Sequence, residues 1–234
     1  MKSIRQIIEI VISMAGYVPR SATLFRTIIM TVSLCFSLYL TFFKPLNQGI
    51  ATIYFIIAEI LYLGFISSVL PENGLRKRFI IRLGDERKGY RAYETILGFL
   101  FFHNGASIGY IASSSPGTLY NIDHRSTVFL ILPLLIVFGF IIKIWAAKVV
   151  SVDIYYWKDM FLGRKICDFA VTGPYKYFSN PMYGIGQLPA YAAALWYGSA
   201  SGLIAAILNQ LLIFSFYFLA EKKFIKRVYL SEVK

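Results

Sequence analysis

The side chains best equipped for chemistry gather between residues 150 and 184. Asp153, Lys158, Asp159, Arg164 and Asp168 alternate there with Tyr155, Tyr156, Tyr175 and Tyr177, and Tyr183 follows directly. The Gly173-Pro174 pair, the Asn180-Pro181 break and Gly184 make the backbone permissive where those tyrosines cluster. Aromatic faces, charged groups and close backbone approach suit a loop folded over a ligand that has a flat ring and charged ends.

A second set of polar residues sits inside apolar runs, where each needs a partner or a function. It comprises Glu59, His103 beside Asn104, Lys143, Gln187, Asn209 and Gln210. Glu59 and His103 are expected to satisfy one another, and with Asp159 they are the candidate proton acceptors. Asn209 and Gln210 read as amides bonding between helices. Lys143 is long enough to snorkel toward the cytoplasm.

The elements that position these groups follow from composition. With 57% hydrophobic and only 15% charged residues among 234, and a mean hydropathy of +0.61, the chain carries more apolar surface than one soluble core can hide. It reads as an all-α, polytopic membrane bundle. Spans are expected near 24–43, 49–70, 93–113, 126–149, 182–197 and 200–220. The fifth is short and contains Pro189; Tyr197-Gly198-Ser199 turns it into the sixth, giving a C-terminal helical hairpin. Ile4, Ile7, Ile8 and Val11 recur at helical spacing opposite Arg5, Gln6 and Glu9, which predicts an interfacial helix within residues 1–20.

Six crossings put both termini on one side, and the basic residues choose the cytoplasm. Lys2, Arg5, Arg20, the cluster from Arg76 to Arg91, then Lys158, Arg164, Lys165, Lys176, and finally Lys222 to Arg227 with Lys234 fall inside; only Lys44 and Arg125 fall outside. The net charge of +12 therefore reads as topology plus attraction to anionic headgroups, not as a nucleic-acid footprint. Cys35 and Cys167 lie in different parts of the fold, so no disulfide is expected. With His103 and His124 the only imidazoles, no protein-held metal is expected either.

The segment VTGPYKYFSNPMYGIG, followed after two apolar stretches by EKKFIKRVY, resembles the C-terminal part of the membrane-embedded methyltransferases, which include phospholipid N-methyltransferases and isoprenylcysteine carboxyl methyltransferases. In that superfamily a glycine turn leads to an Asn/His-Pro-x-Tyr motif, a helical hairpin, an acidic pair and a basic tail. Asn180-Pro181-Met182-Tyr183, with Asp159-Met160-Phe161 and Gly163 upstream, is closer to the phospholipid branch. The likeness covers roughly residues 138–230 and makes 126–234 a methyltransferase-like core behind the N-terminal spans of 21–125. Two departures stand out. Glu221 is followed by Lys222 where the family has a second Glu, and Phe138-Gly139-Phe140 holds one glycine where the phospholipid branch has Gly-x-Gly.

The resemblance implies S-adenosylmethionine as methyl donor and a lipid resident in the bilayer as acceptor, most simply the amine of phosphatidylethanolamine or its methylated derivatives. It implies that Gly139, Gly173, Pro174, Tyr175, Asn180, Pro181, Met182, Tyr183 and Gly184 shape the donor site, with Glu221 facing the donor's ammonium. A prenylcysteine carboxylate is the alternative acceptor. Two readings of other kinds are a small-molecule transporter, with Glu59, His103 and the Pro189 break as a midplane site, and a sterol-type reductase, whose chains are usually longer.

Overall fold

A computed structural model describes residues 2–18, 23–120 and 125–230. Arg20, His124 and Lys234 lie outside the described residues, as do the side chains of Lys2 and Arg125. The described residues form helices and turns without strands: α1 (Lys2–Met14), α2 (Leu24–Phe42), α3 (Gln48–Val69), α4 (Arg76–Leu83), α5 (Glu86–Ser114), α6 (Arg125–Tyr155), α7 (Lys158–Leu162), α8 (Ala192–Tyr197), α9 (Ala200–Phe216) and α10 (Lys222–Val228). Local chemistry sets several ends. Asn47 accepts from Gly49 N–H at 2.9 Å, Asp85 from Lys88 N–H at 2.6 Å and Ser199 from Gly202 N–H at 3.0 Å, each satisfying an amide that the first turn leaves free.

Five segments are long and apolar enough to cross a membrane: Leu24–Phe42, Gln48–Val69, Glu86–Ser114, Val128–Leu162 and Ala200–Val228. Their outward residues, such as Leu24, Val32, Ile53, Leu130 and Leu211, are exposed, which only a hydrocarbon surrounding makes favourable. The chain is an integral membrane protein with an all-helical fold.

The span expected over 182–197 takes a different form. Ile185–Tyr191 is a 3-10 helix and only Ala192–Tyr197 is α-helical. Two causes are visible. Pro189 has no N–H to give an α-helical bond. Its ring also packs so closely on α6 that a Cβ built on Gly139 would stand 2.4 Å from Pro189 Cδ. A 3-10 helix rises about 2.0 Å per residue against 1.5 Å, so this arm reaches further per residue than an α-helix would.

Contacts group the helix ends into two layers. On one, Tyr197 donates to Thr41 O at 2.7 Å and Ser115 bonds Ser199 at 2.8 Å, joining the α2–α3, α5–α6 and hairpin turns. On the other, Tyr156 donates to Ser13 O at 2.7 Å, Arg76 to Met160 O at 2.7 Å, and Arg227 pairs with Glu72. Both described ends of the chain, α1 and α10, sit in this second layer with most of the basic residues. The expected N-terminal helix is present as α1, with Ile10 and Ser13 buried and Ile4, Ile8 and Val11 exposed.

Substituting Gly139→Ala should force α6 and the 3-10 arm apart. The expected loss is about 1–3 kcal/mol, the usual cost of overpacking. It is read as a lower unfolding midpoint in detergent, and an unchanged midpoint would refute the packing role.

Candidate active site

The loop after α6 begins with two unusual backbone conformations. Ser151, at φ 74°, breaks α6, and Trp157, at φ 52° and ψ 41°, is left-handed immediately before α7. A left-handed non-glycine residue costs roughly 1–2 kcal/mol, so surrounding contacts must hold it. Here they are identifiable: the Trp157 ring is buried against Phe216, and its Nε1–H donates to Glu221 Oε2 at 3.0 Å. Below Trp157, α7 is pinned by Arg76 and ends at Gly163, φ 71°, where a Cβ would collide with the Arg76 guanidinium. The neighbouring Arg164–Glu86 pair, at 2.6 Å, is exposed, and a pair of that kind contributes about 1 kcal/mol or less.

Glu221 reaches the same place from α9 through a second backbone device. Tyr217–Glu221 is a π-helical turn, in which Lys222 N–H bonds back to Tyr217 O. The wider turn sets Tyr217 and Glu221 together on the cavity side, a use of π-turns common at functional sites. Lys222 points outward, is exposed, and lies over the Phe218 ring at 5.2 Å. The lysine that replaces the family's second acid therefore does not enter the cavity.

Asp159, Glu221, Tyr175, Asn180, Met182 and Tyr183 all line this loop-side chamber, whose cavity volume is about 120 Å³. Glu221 Oε2 accepts from Tyr183 Oη at 2.8 Å as well as from Trp157. Asp159 is 6% exposed; its Oδ1 accepts from Met160 N–H at 2.8 Å and its Oδ2 from Tyr229 Oη at 2.9 Å. Among the described residues neither carboxylate has a cationic partner within 4.0 Å. Burial, and then the charge of Glu221, pushes the Tyr175 phenol above its ordinary pKa, and burial, then Asp159, does the same for Tyr229. Both phenols are therefore neutral at physiological pH. Asn180 Oδ1 accepts from Tyr183 N–H at 3.1 Å, which fixes the turn.

The other sequence candidates lie around this chamber, not on its wall. Pro174 and Pro181 are fully buried supports. Gly173 has φ 61° and packs on Trp145 and Val149, Gly184 packs on Asn180 O, and Gly139 packs on Pro189. Gln210 donates from Nε2 to Tyr183 O at 2.8 Å and Gly184 O at 3.2 Å, so it ties α9 to the hairpin as an interhelical amide.

Glu59 and His103 do not pair as expected. Asn209 intercepts the carboxylate, donating Nδ2 to Glu59 Oε1 at 2.7 Å, while His103 Nδ1 is hydrogen-bonded to the Tyr54 hydroxyl. Nor does Lys143 snorkel. It turns into a second, deeper chamber together with Asn104, Gln187 and Asn209. Tyr155, Trp157, Met182 and Tyr183 line both chambers and form the partition between them. Sequence reasoning passed over Trp157 and Tyr229, and it gave Lys143 no role beyond snorkelling. The single available signal was the position of Trp157 two residues before Asp159 in an aromatic-acidic run.

Comparison with known proteins falls on this same region. Residues 129–232 match the family model for phospholipid methyltransferase. The phosphatidylethanolamine N-methyltransferase of Schizosaccharomyces pombe is 31% identical over 99 residues, 42% of this chain and 11% of that protein. Those of Eremothecium gossypii and Schizosaccharomyces japonicus are 32% and 33% identical over 88 and 99 residues, 38% and 42% of this chain and 10% and 11% of theirs. The chain thus spans about a tenth of the length of these relatives, 10–11%. No solved structure matches. From α6 to the basic tail, over residues 129–232, the chain is similar to the phospholipid methyltransferases, the branch to which Asn180-Pro181-Met182-Tyr183 pointed.

Proposed function

We propose that this chain transfers a methyl group from S-adenosylmethionine to the amine of phosphatidylethanolamine or of its methylated derivatives, with the loop-side chamber and both chain ends facing the cytoplasm. The observation that carries the reading is the pair of carboxylates, Asp159 and Glu221, held by neutral donors and left without a cation in an aromatic-walled chamber. The family match and the three relatives support the same chemistry. The basic residues gathered in the α1 and α10 layer support the orientation.

The chamber fits that donor in its charge and its walls. Buried acids without a counterion suit a cationic ligand, because an opposite charge close by favours their ionised form and pairs with it. Glu221 would face the donor's cationic end, aimed by Trp157 and Tyr183. Tyr175 and Tyr217 supply flat faces, and a cation over such a face gains about 0.5–2 kcal/mol. Asn180 Nδ2 has no partner among the described residues and is open to a ligand oxygen or ring nitrogen. When bound, S-adenosylmethionine supplies a methyl carbon carried on a sulfonium.

The chain's own residues do the rest. A lipid amine is largely protonated at neutral pH, by analogy with lysine near 10.4, and must lose that proton to become a nucleophile. Of the three candidate acceptors only Asp159 lines the chamber, so the proton goes to an Asp159 carboxylate oxygen. The freed nitrogen lone pair would then take the methyl carbon that the donor supplies, the C–S electron pair leaving with sulfur. Tyr183, Trp157 and Met182 keep water from the line of approach, and holding the partners aligned can lower the barrier by about 7–11 kcal/mol.

The test is purified protein in detergent with labelled donor and phosphatidylethanolamine. Label should enter the lipid, and none should enter a choline lipid, whose nitrogen has no lone pair; donor binding that leaves every lipid unlabelled would refute the acceptor. Glu221→Gln should weaken donor binding by about 2 kcal/mol or more, thirtyfold in Kd, whereas Lys222→Ala should leave Kd unchanged. The reverse order would remove Glu221 from the site. Asn180→Ala and Tyr183→Ala should also raise the donor Kd while still inserting into membranes, and wild-type affinity in both would move the site elsewhere.

A further inference from the structure

The deep chamber carries the opposite charge character from its neighbour. Lys143 lines it, half-buried, and its Nζ has no acceptor or ion-pair partner among the described residues, only the Phe101 ring at 5.9 Å. Asn104 lines it too, 4% exposed, with an amide nitrogen that has no hydrogen-bond partner. A cation and an unpaired N–H donor at membrane depth are each costly. Two such donors on one chamber wall specify a ligand that brings acceptor oxygens.

The orientation of Asn104 is fixed by its neighbours. Asn209 uses one amide hydrogen on Glu59 Oε1, at 2.7 Å, and the other on Asn104 Oδ1, at 2.8 Å, while its own oxygen accepts from Gln187 Nε2 at 2.8 Å. Turning the Asn104 amide over would set its NH₂ against that of Asn209. The chain from Glu59 through Asn209 therefore holds Asn104 with its oxygen satisfied and its NH₂ on the Glu59 side, short of a full hydrogen bond. This gives Glu59 a positioning role in place of proton transfer.

We infer that the deep chamber is a phosphodiester site, in which Lys143 and Asn104 bind the phosphate oxygens of the acceptor lipid. The inference rests on the proposed methyl transfer and specifies how its substrate is held. In an ethanolamine headgroup only two carbons separate phosphate from amine. A phosphate on Lys143 and Asn104 therefore sets the amine at the partition of Trp157, Met182 and Tyr183, on whose far side lie Asp159 and Glu221. The two chambers sort the charges of one zwitterion: negative to the lysine side, and the nitrogen toward the carboxylates. The same donors would also accept inorganic phosphate, the other source of this chemistry.

The experiment measures lipid binding to the full chain in detergent by native mass spectrometry, comparing a short-chain phosphatidylethanolamine with a diacylglycerol of the same chains. The wild type should prefer the phospholipid by about tenfold or more, as charge-assisted hydrogen bonds require. Lys143→Met should erase that preference and Lys143→Arg should keep part of it, with donor Kd unchanged in both. Asn104→Leu should weaken the preference as well; if that variant does not fold, the Lys143 pair decides. Displacement of the phospholipid by millimolar inorganic phosphate, lost in Lys143→Met, shows a site open to either source. Loss of preference in Lys143→Met without such displacement shows one that takes phosphate only within a headgroup. A full preference retained in Lys143→Met overturns the proposal. Since binding needs no turnover, a preference that Lys143→Met erases in protein that moves no label would retire the methyl-transfer reading alone, and a labelling-competent Lys143→Met protein with its preference intact would retire this site alone.

Discussion

The arrangement depends on holding two acidic side chains, Asp159 and Glu221, in a chamber that offers them no counterion. Each is compensated by hydrogen bonds from neutral groups: Trp157 and Tyr183 on Glu221, Met160 N–H and Tyr229 on Asp159. Hydrogen bonds to a charged group are worth roughly 1.5–3 kcal/mol, enough to hold its geometry and too little to replace the solvation lost on burial. That shortfall is what a cationic ligand can make good. Removing either donor to Glu221 therefore alters the ligand site before it alters the fold.

The backbone is bent to serve those bonds. Trp157 reaches Glu221 only because it adopts a left-handed conformation, and Glu221 is paired with Tyr217 on the cavity side by a π-turn. Strain near 1–2 kcal/mol at Trp157 is smaller than what the buried indole and its hydrogen bond return, which is why it persists. The partition of Tyr155, Trp157, Met182 and Tyr183 belongs to this same strained segment and to the turn that Asn180 fixes, so one set of contacts both aims the carboxylates and divides the two chambers.

The all-helical membrane fold was legible from the sequence because apolar run length is a property of the chain itself. Asp159, Asn180, Tyr183 and Glu221 were legible through the order of a loop, an Asn-Pro turn, a hairpin and an acid. What the sequence did not reveal is azimuth, the direction in which a helical side chain points around its axis. Glu59 and His103 lie on different helices at depths that invite pairing, yet Asn209 takes the carboxylate and Tyr54 the imidazole. Lys143 could reach the interface by length alone, but it faces inward. Tyr229 and Trp157 carried no signal of their own for these bonds, since their acidic partners stand 70 and 64 residues away. The 182–197 arm read as a span because apolar content does not register what Pro189 does to an α-helix packed on Gly139.

That last departure bears on where chemistry can occur at all. Inside a bilayer, non-helical backbone is tolerated only where protein buries it or a cavity admits other partners. The hairpin's first arm is such a segment: Gln210 takes the Tyr183 and Gly184 carbonyls that no α-helical bond satisfies, and α6 covers its proline through Gly139. Freed from helical periodicity, the arm can turn Tyr183 toward Glu221 on one side of the partition and Gln187 toward the Asn209–Asn104 chain on the other. An α-helix of the same residues places positions four apart about 40° from one another, on a single face. The irregular arm lets two residues at that spacing serve two chambers of opposite charge.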